Sequence, residues 1–349
     1  MLETFFHAWE RRLASVTTDR VVRSFDWGLD WIHENGLLRN RPPAAVIEEW
    51  VSHVMQDTDA FFTPPPTTEY RLESETPAGE QVLTFPSALE TPHPENNIVR
   101  CRIFPARGDR QRDVRAAVVV LPQWNADSGG HVGLCRLLTM NGLTALRLSL
   151  PYHDQRMPPE LHRADYIVSA NVGRTLQVCR QAVLDARRAI AWVAAAGYDR
   201  IGILGSSLGS CLSLLTAAHE PLVRAQALNH VSPYFADVVW RGLSTNHVRL
   251  GLEGHIDLDV LRSLWSPISP ASYLERVRRL KTLLVYARYD LTFPVDLSER
   301  LISQFKAMGI PHEVAALRCG HYSTGKAPFK FIDGWILTRF LKRALTTSS

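Results

Sequence analysis

The chain has 349 residues, 46% of them hydrophobic and 21% charged, with 39 Lys and Arg against 35 Asp and Glu for a net charge of +4. That length and apolar content suit one large soluble domain with insertions, which needs neither a disulfide nor a metal to fold. The charge is too small and too dispersed to recruit nucleic acid, and the longest apolar run, Ala116 to Leu121, is far too short for stable membrane insertion.

Near the N-terminus, Glu3, Glu10, Arg11 and Arg12 interrupt any apolar signal core. The five cysteines, Cys101, Cys135, Cys179, Cys211 and Cys319, are odd in number and contain no C-x-x-C pair. Free thiols in a reducing compartment are the simplest reading, so a cytoplasmic protein is expected. The Arg-rich stretch Arg107 to Arg115 is broken by Asp109 and Asp113 and reads as a solvated loop.

Residues 1–66 read as an N-terminal helical extension. Leu2, Phe5, Phe6, Trp9 and Leu13 recur at helical spacing, and Val21, Val22, Phe25, Leu29 and Ile32 continue the pattern. A third helix is predicted after Pro42-Pro43, with Val46, Trp50, Val54 and Met55 on its apolar positions. This aromatic stripe packs against the main domain, walls a pocket, or forms the face of a homodimer. Pro64-Pro65-Pro66 then marks a connector, and the catalytic domain is expected over 67–349.

Short strands are predicted at Tyr70–Leu72, Val82–Phe85 and Ile98–Phe104, followed by a regular alternation. Strand 116–121 precedes a helix over about 130–141, strand 143–148 follows, and a long helix runs from about 172 to 196. Strand 201–204 leads into a helix at 208–219. Further strands are predicted near 225–228, 282–286 and 313–316, with helices near 295–308 and 329–343. Apolar strands alternating with helices describe a mostly parallel sheet covered on both faces. Chemistry then belongs at the carboxyl ends of the strands.

The clearest such address is Gly205-Ser206-Ser207-Leu208-Gly209, between the apolar strand 201–204 and an apolar helix. A G-x-S-x-G in that setting puts the serine on a strained strand-to-helix turn, and flanking glycines let strand and helix close together. An ordinary glycine-rich turn is the alternative. A serine hydroxyl needs a base, and the base needs an orienting group. Asp290 lies just past strand 282–286, and His321 stands in Arg318-Cys319-Gly320-His321-Tyr322 after the last strand. Ser207, Asp290 and His321 are therefore the expected catalytic residues. Asp296 and Asp257 are reserves for the acid, with Asp296 better suited to the start of the following helix. His312 sits at the wrong end of its strand. The oxyanion hole is expected from the backbone of Leu208 and of Gln123 or Trp124, in the loop after strand 116–121.

These motifs resemble the α/β-hydrolase superfamily from about residue 80 to the end: G-S-S-L-G, A-R-Y-D-L-T-F-P and C-G-H-Y, in that order. The resemblance implies an intact serine hydrolase with an α/β-hydrolase fold: a mostly parallel central sheet with helices on both faces, the helical extension and a cap insertion. More narrowly, P-Y-H-D-Q-R-M-P at 151–158 and the helix segment D-A-R-R-A-I-A-W look similar to the α/β-hydrolase domain-containing protein 18 family. One departure is Pro122-Gln123, where many esterases carry His-Gly; Gln123 is expected to reach into the pocket and narrow the acyl choice.

About fifty residues separate the strand ending near Leu228 from the one starting at Thr282, and a cap over Ser207 is expected at about 233–270. Its apolar residues, with Tyr234, Phe235 and Trp240 as candidate pocket residues, suit an apolar acyl or aromatic group. A packed insertion without substrate contact is the alternative. His153, Asp154, His131 and His162 match no compact ligand set, so no metal and no cofactor is expected. Arg156 is expected to pair with a carboxylate of the protein or of a substrate. The reading is a carboxylesterase or lipase-like enzyme acting on a small-molecule or lipid-like ester. A serine peptidase or amidase on the same scaffold and a non-catalytic binding protein are the alternatives.

Overall fold

In a computed structural model, residues 2–32, 41–74, 80–108 and 114–346 are described. Part of the Arg-rich stretch, 109–113, lies outside them. Nine strands form one sheet in the order β1-β2-β3-β5-β4-β6-β7-β8-β9. They are β1 (Arg71–Ser74), β2 (Gln81–Pro86), β3 (Ile98–Phe104), β4 (Ala116–Leu121), β5 (Thr144–Leu148), β6 (Arg200–Ser206), β7 (Val223–Asn229), β8 (Lys281–Ala287) and β9 (Glu313–Leu317). β1 to β3 pair antiparallel with one another and β3 with β5, while every pairing from β5 across to β9 is parallel.

Six consecutive buried residues in β4 show why its sequence does not alternate. Val119 and Leu121 face one core, with Leu176, Leu212 and Leu301, whereas Val118 and Val120 face a second, with Leu138, Leu337 and Leu341. Helices α5 (Val172–Ala195), α6 (Leu208–His219) and α10 (Val295–Ala307) cover the first face; α4 (Val132–Met140) and α11 (Phe329–Thr346) cover the second. Both faces are dry, as a parallel sheet requires.

The N-terminal segment differs in part from expectation. α1 (Leu2–Ser15), α2 (Pro43–Gln56) and the short α3 (Thr58–Phe62) are helical, with Pro43 starting α2. No α-helix forms over 21–32. Val21 and Val22 are half exposed, and the segment is a strap: Asp26 pairs with Asn171 as an isolated β-bridge, and Gly28 turns the chain at φ 69°. A Cβ at Gly28 would meet the Asn171 side chain at 2.1 Å. Tertiary hydrogen bonds at the start of α5 thus override the helical spacing.

The connection from β7 to β8 carries α7 (Phe235–Arg241), α8 (Asn246–Leu252) and α9 (Leu258–Leu264). Among the described residues, no helix is long and apolar enough to cross a membrane. The strand order reverses at β4, since β5 lies on one side and β6 on the other. The loops after β4 and β6 therefore diverge and leave a crevice.

Candidate active site

Ser207 follows β6 and has φ 55° and ψ −122°, a conformation that L-residues rarely adopt. Its amide donates to the Asn229 carbonyl at 2.7 Å, and its own carbonyl lies 2.6 Å from Ser210 Oγ. The flanking glycines are steric necessities. A Cβ at Gly205 would lie 2.1 Å from the Gly209 carbonyl oxygen, and one at Gly209 would lie 2.2 Å from that of Leu121.

Asp290 and His321 stand on the loops after β8 and β9. His321 Nε2 lies 3.1 Å from Ser207 Oγ, and its Nδ1 lies 2.9 Å from Asp290 Oδ2. Asp290 Oδ1 accepts from the Thr292 and Phe293 amides at 2.8 and 2.7 Å, which leaves Oδ2 for the imidazole. The Phe293 ring lies parallel to His321, with centroids 5.4 Å apart. Burial alone would raise the Asp290 carboxyl, but the His321 and His230 rings beside it hold it well below the usual carboxylate range. Burial also works to lower His321, yet the Asp290 carboxylate, helped by Glu10, lifts it above its ordinary 6.5.

Gln123, Trp124 and Leu208 line the same cavity as Ser207, and the Gln123 and Trp124 amides have no partner among the described residues. Burial pushes the Cys211 thiol, also in the wall, up to about 11, so it stays protonated. The cavity measures about 1040 Å³. Phe235 lines it, together with Val238 and Val239. Tyr234 and Trp240 do not: the guanidiniums of Arg262 and Arg300 both lie over the Tyr234 ring, and Trp240 lies against Arg249. The reserve acids are also occupied elsewhere. Asp296 pairs with Arg241 at 2.7 Å, and Asp257 caps α9 by accepting from Val260 at 2.9 Å.

Several neighbours lay beyond sequence reasoning. Glu10 of α1 is fully buried and accepts from the Tyr322 and Ser323 amides at 2.7 and 2.9 Å, directly after His321. Gly320 has no room for a Cβ, which would meet Glu10 Cδ at 2.3 Å. On the same helix, Phe6 stacks on Tyr289, the residue before Asp290, at 4.7 Å. One helix thus fastens both loops. His230 follows β7 at φ 60°, with Nδ1 3.1 Å from Asp290 Oδ2 but off the hydrogen-bond angle. His131 Nε2 lies 2.9 Å from Ser206 Oγ. The only sequence signal for these two was their place after a strand or in the loop following β4.

Among the described residues, His230, Asp290 and His321 form a trio whose ligand atoms lie within 4.8 Å of one another. His321 and Asp290 already direct those atoms at each other, which suits proton transfer better than ligation. His153 and Arg156 serve the scaffold. His153 Nε2 accepts from the Asn125 amide at 2.9 Å, and Arg156 pairs with Asp185 at 2.8 Å, both side chains fully buried.

No protein-family model matches the chain, and no curated protein sequence does. Solved structures do match. An acetyl xylan esterase from Paenibacillus sp. R4 superposes with a TM-score of 0.61 at 14% identity, covering 91% of this chain and 99% of the esterase. An esterase from Pyrococcus furiosus gives a TM-score of 0.54 at 15% identity, over 81% of this chain and 98% of that one. The acylaminoacyl peptidase of Pyrococcus horikoshii gives 0.59 at 14% identity over 81% of this chain, which spans only 43% of the peptidase. Sheet order, strand-end loops and these superpositions define the class: the chain has the α/β-hydrolase fold.

Proposed function

We propose that the chain is a serine hydrolase that cleaves carboxylic ester bonds through an acyl-enzyme on Ser207. The observation that carries this reading is the continuous chain from Ser207 Oγ through His321 to Asp290, with contacts of 3.1 and 2.9 Å. Nothing in packing calls for those three side chains in that order at three strand ends.

In this reading Ser207 Oγ attacks the ester carbonyl carbon while its proton passes to His321 Nε2. The negative charge on the carbonyl oxygen falls to the amides of Leu208 and of Gln123 or Trp124. His321 then protonates the departing alcohol. Water, deprotonated by the same nitrogen, releases the acid and restores Ser207. Asp290 keeps the imidazole in the Nδ1–H tautomer and stabilises it when charged. Burial of all five cysteines without a bridge fits a reducing, cytoplasmic setting.

An ester is favoured over a peptide because the chain spans nearly the whole of the two esterases but under half of the peptidase. The first test is a fluorophosphonate probe read by peptide mapping, with hydrolysis of nitrophenyl esters and matched nitroanilides alongside. A single adduct on Ser207 with turnover of esters is expected. Turnover of anilides alone would replace the esterase with an amidase. No adduct on folded protein would leave a binding protein.

His321 acts as a base only when neutral, so kcat/KM is expected to rise with pH through a limb above 6.5, the ordinary imidazole value. Glu10→Gln removes one of the charges that raise His321 and leaves an amide N–H facing a backbone N–H. The limb should move to lower pH, and kcat should fall roughly tenfold through misplacement of the loop. An unmoved limb in a pH–rate profile would reduce Glu10 to a structural anchor.

A further inference from the structure

The cavity beside Ser207 has apolar walls, yet its charged side chains are mostly cationic. Arg20, Arg163 and Lys330 line it, and among the described residues the one carboxyl group in its lining is that of Asp333. Burial pushes that carboxyl up to about 6, and its Oδ2 accepts from Asn229 Nδ2 at 2.8 Å.

The three cations are not equivalent. Arg163 has counter-ions in Asp19 at 3.1 Å and Asp165 at 3.6 Å. Lys330 sits against the Phe331 ring, with Nζ 4.9 Å from its centroid. Arg20 Nη2 donates to the Tyr322 hydroxyl at 3.1 Å, and its buried Nε has no acceptor among the described residues. No described carboxylate pairs with it, whereas Arg23 and Arg163 have Asp165 and Asp19. Tyr322 adjoins His321, so the under-partnered guanidinium is fixed close to the reacting centre. The positive potential extends to the loop after β4. His247, stacked on Trp124 at 5.7 Å, is held down to about 4 by burial and by the charges of Arg163 and Arg20.

We propose that Arg20 is a substrate-reading residue, and that the ester cleaved at Ser207 carries a carboxylate on its acyl or its alcohol part. This rests on the ester-hydrolase reading and narrows it. An ordered guanidinium with a free N–H lacks an acceptor, and its planar fork matches a carboxylate. A neutral substrate leaves that cation unpaired on closing over the cavity, whereas an anionic one pairs with it in a partly desolvated site.

The test compares esters that differ only in charge, with Ser207→Ala protein as the blank. 4-Nitrophenyl hexanoate is set against the 4-nitrophenyl monoester of adipic acid for the acyl side. Ethyl hexanoate is set against 2-carboxyethyl hexanoate for the alcohol side. In the wild type, kcat/KM for one of the two anionic esters should exceed that of its neutral partner by about tenfold or more. That ratio should shrink as salt is raised. In Arg20→Gln it should collapse towards one, with Arg20→Lys between. Ratios are compared within each protein, so any general loss of turnover from the Tyr322 contact cancels. Equal or better hydrolysis of both neutral esters, or a ratio unmoved in Arg20→Gln, overturns the subsite and leaves the esterase. Hydrolysis of none of the four overturns the ester reading itself.

Discussion

Ser207→Ala and His321→Ala should each lower kcat by roughly 10⁴–10⁶ while the fold is kept. In Ser207→Ala the proposed nucleophile is gone, and what persists is binding and the amides proposed to hold the oxyanion. The variant should also relieve nothing in the elbow, because φ 55° is imposed by the Ser207 amide bond to Asn229 and by the close passage of Gly205 and Gly209. Its denaturation midpoint should therefore match the wild type. His321→Ala removes the proton carrier and a ring packed parallel to Phe293, so a modest loss of stability accompanies the loss of rate. Asp290→Asn should cost less than either, since the amide misorients the imidazole but does not delete it. The double variant Ser207→Ala/His321→Ala should be no slower than the worse single one, because residues that act as a unit are not additive. Near-normal turnover by purified Ser207→Ala would end this mechanism, and an effect confined to Asp296→Asn would move the acid.

The features legible in the sequence are those carried by short stretches of chain. Buried β4 announces itself by unbroken apolar residues, and the G-x-S-x-G between β6 and α6 needs only its own neighbours to fold into an elbow. Asp290 and His321 were legible because both stand just past strand ends. Glu10 was not: it meets Tyr322 across 312 positions, and in the sequence it is one more charge on an amphipathic helix. Arg20 was hidden for the same reason, just before a segment whose spacing suggests a helix but which the bridge from Asp26 to Asn171 holds as a strap. The pocket residues failed more narrowly. Helix α7 turns Phe235, Val238 and Val239 to the cavity, at the i, i+3, i+4 spacing of one face. Tyr234 and Trp240 fall off that face, so aromatic character was a poorer guide than helical geometry.

Arg156→Ala should destabilise the protein by about 3–5 kcal/mol, a large part of the roughly 5–15 kcal/mol that holds a domain together. The guanidinium is fully buried, and each of its three nitrogens donates. Nε and Nη2 donate to the Asn96 carbonyl at 3.1 and 2.8 Å, Nη1 to the Ser149 carbonyl at 2.9 Å, and Nη2 also to Asp185. Asp185 keeps only Ser87 Oγ and the Ala88 amide once the arginine is removed, which leaves a buried charge without its counter-ion. Function is coupled to this loss through His153, three residues earlier. Because the Asn125 amide can only donate, His153 Nε2 must be unprotonated, and Nδ1–H then donates to the Pro151 carbonyl at 2.9 Å. Burial holds this imidazole down to about 4, so the tautomer survives at any ordinary pH. Arg156 braces the loop that carries His153, and His153 braces the loop that carries Gln123 and Trp124. Urea unfolding should show the lowered midpoint. At a temperature where Arg156→Ala is still folded, kcat should fall further than KM rises, since in the proposed mechanism the amides of that loop act on the transition state. Arg156→Lys keeps the charge but not the four-way bonding, and should fall between. A cost below about 1 kcal/mol would mean that water or a shifted side chain replaces the arginine. Full stability with lost activity would instead make the arginine part of the reaction site.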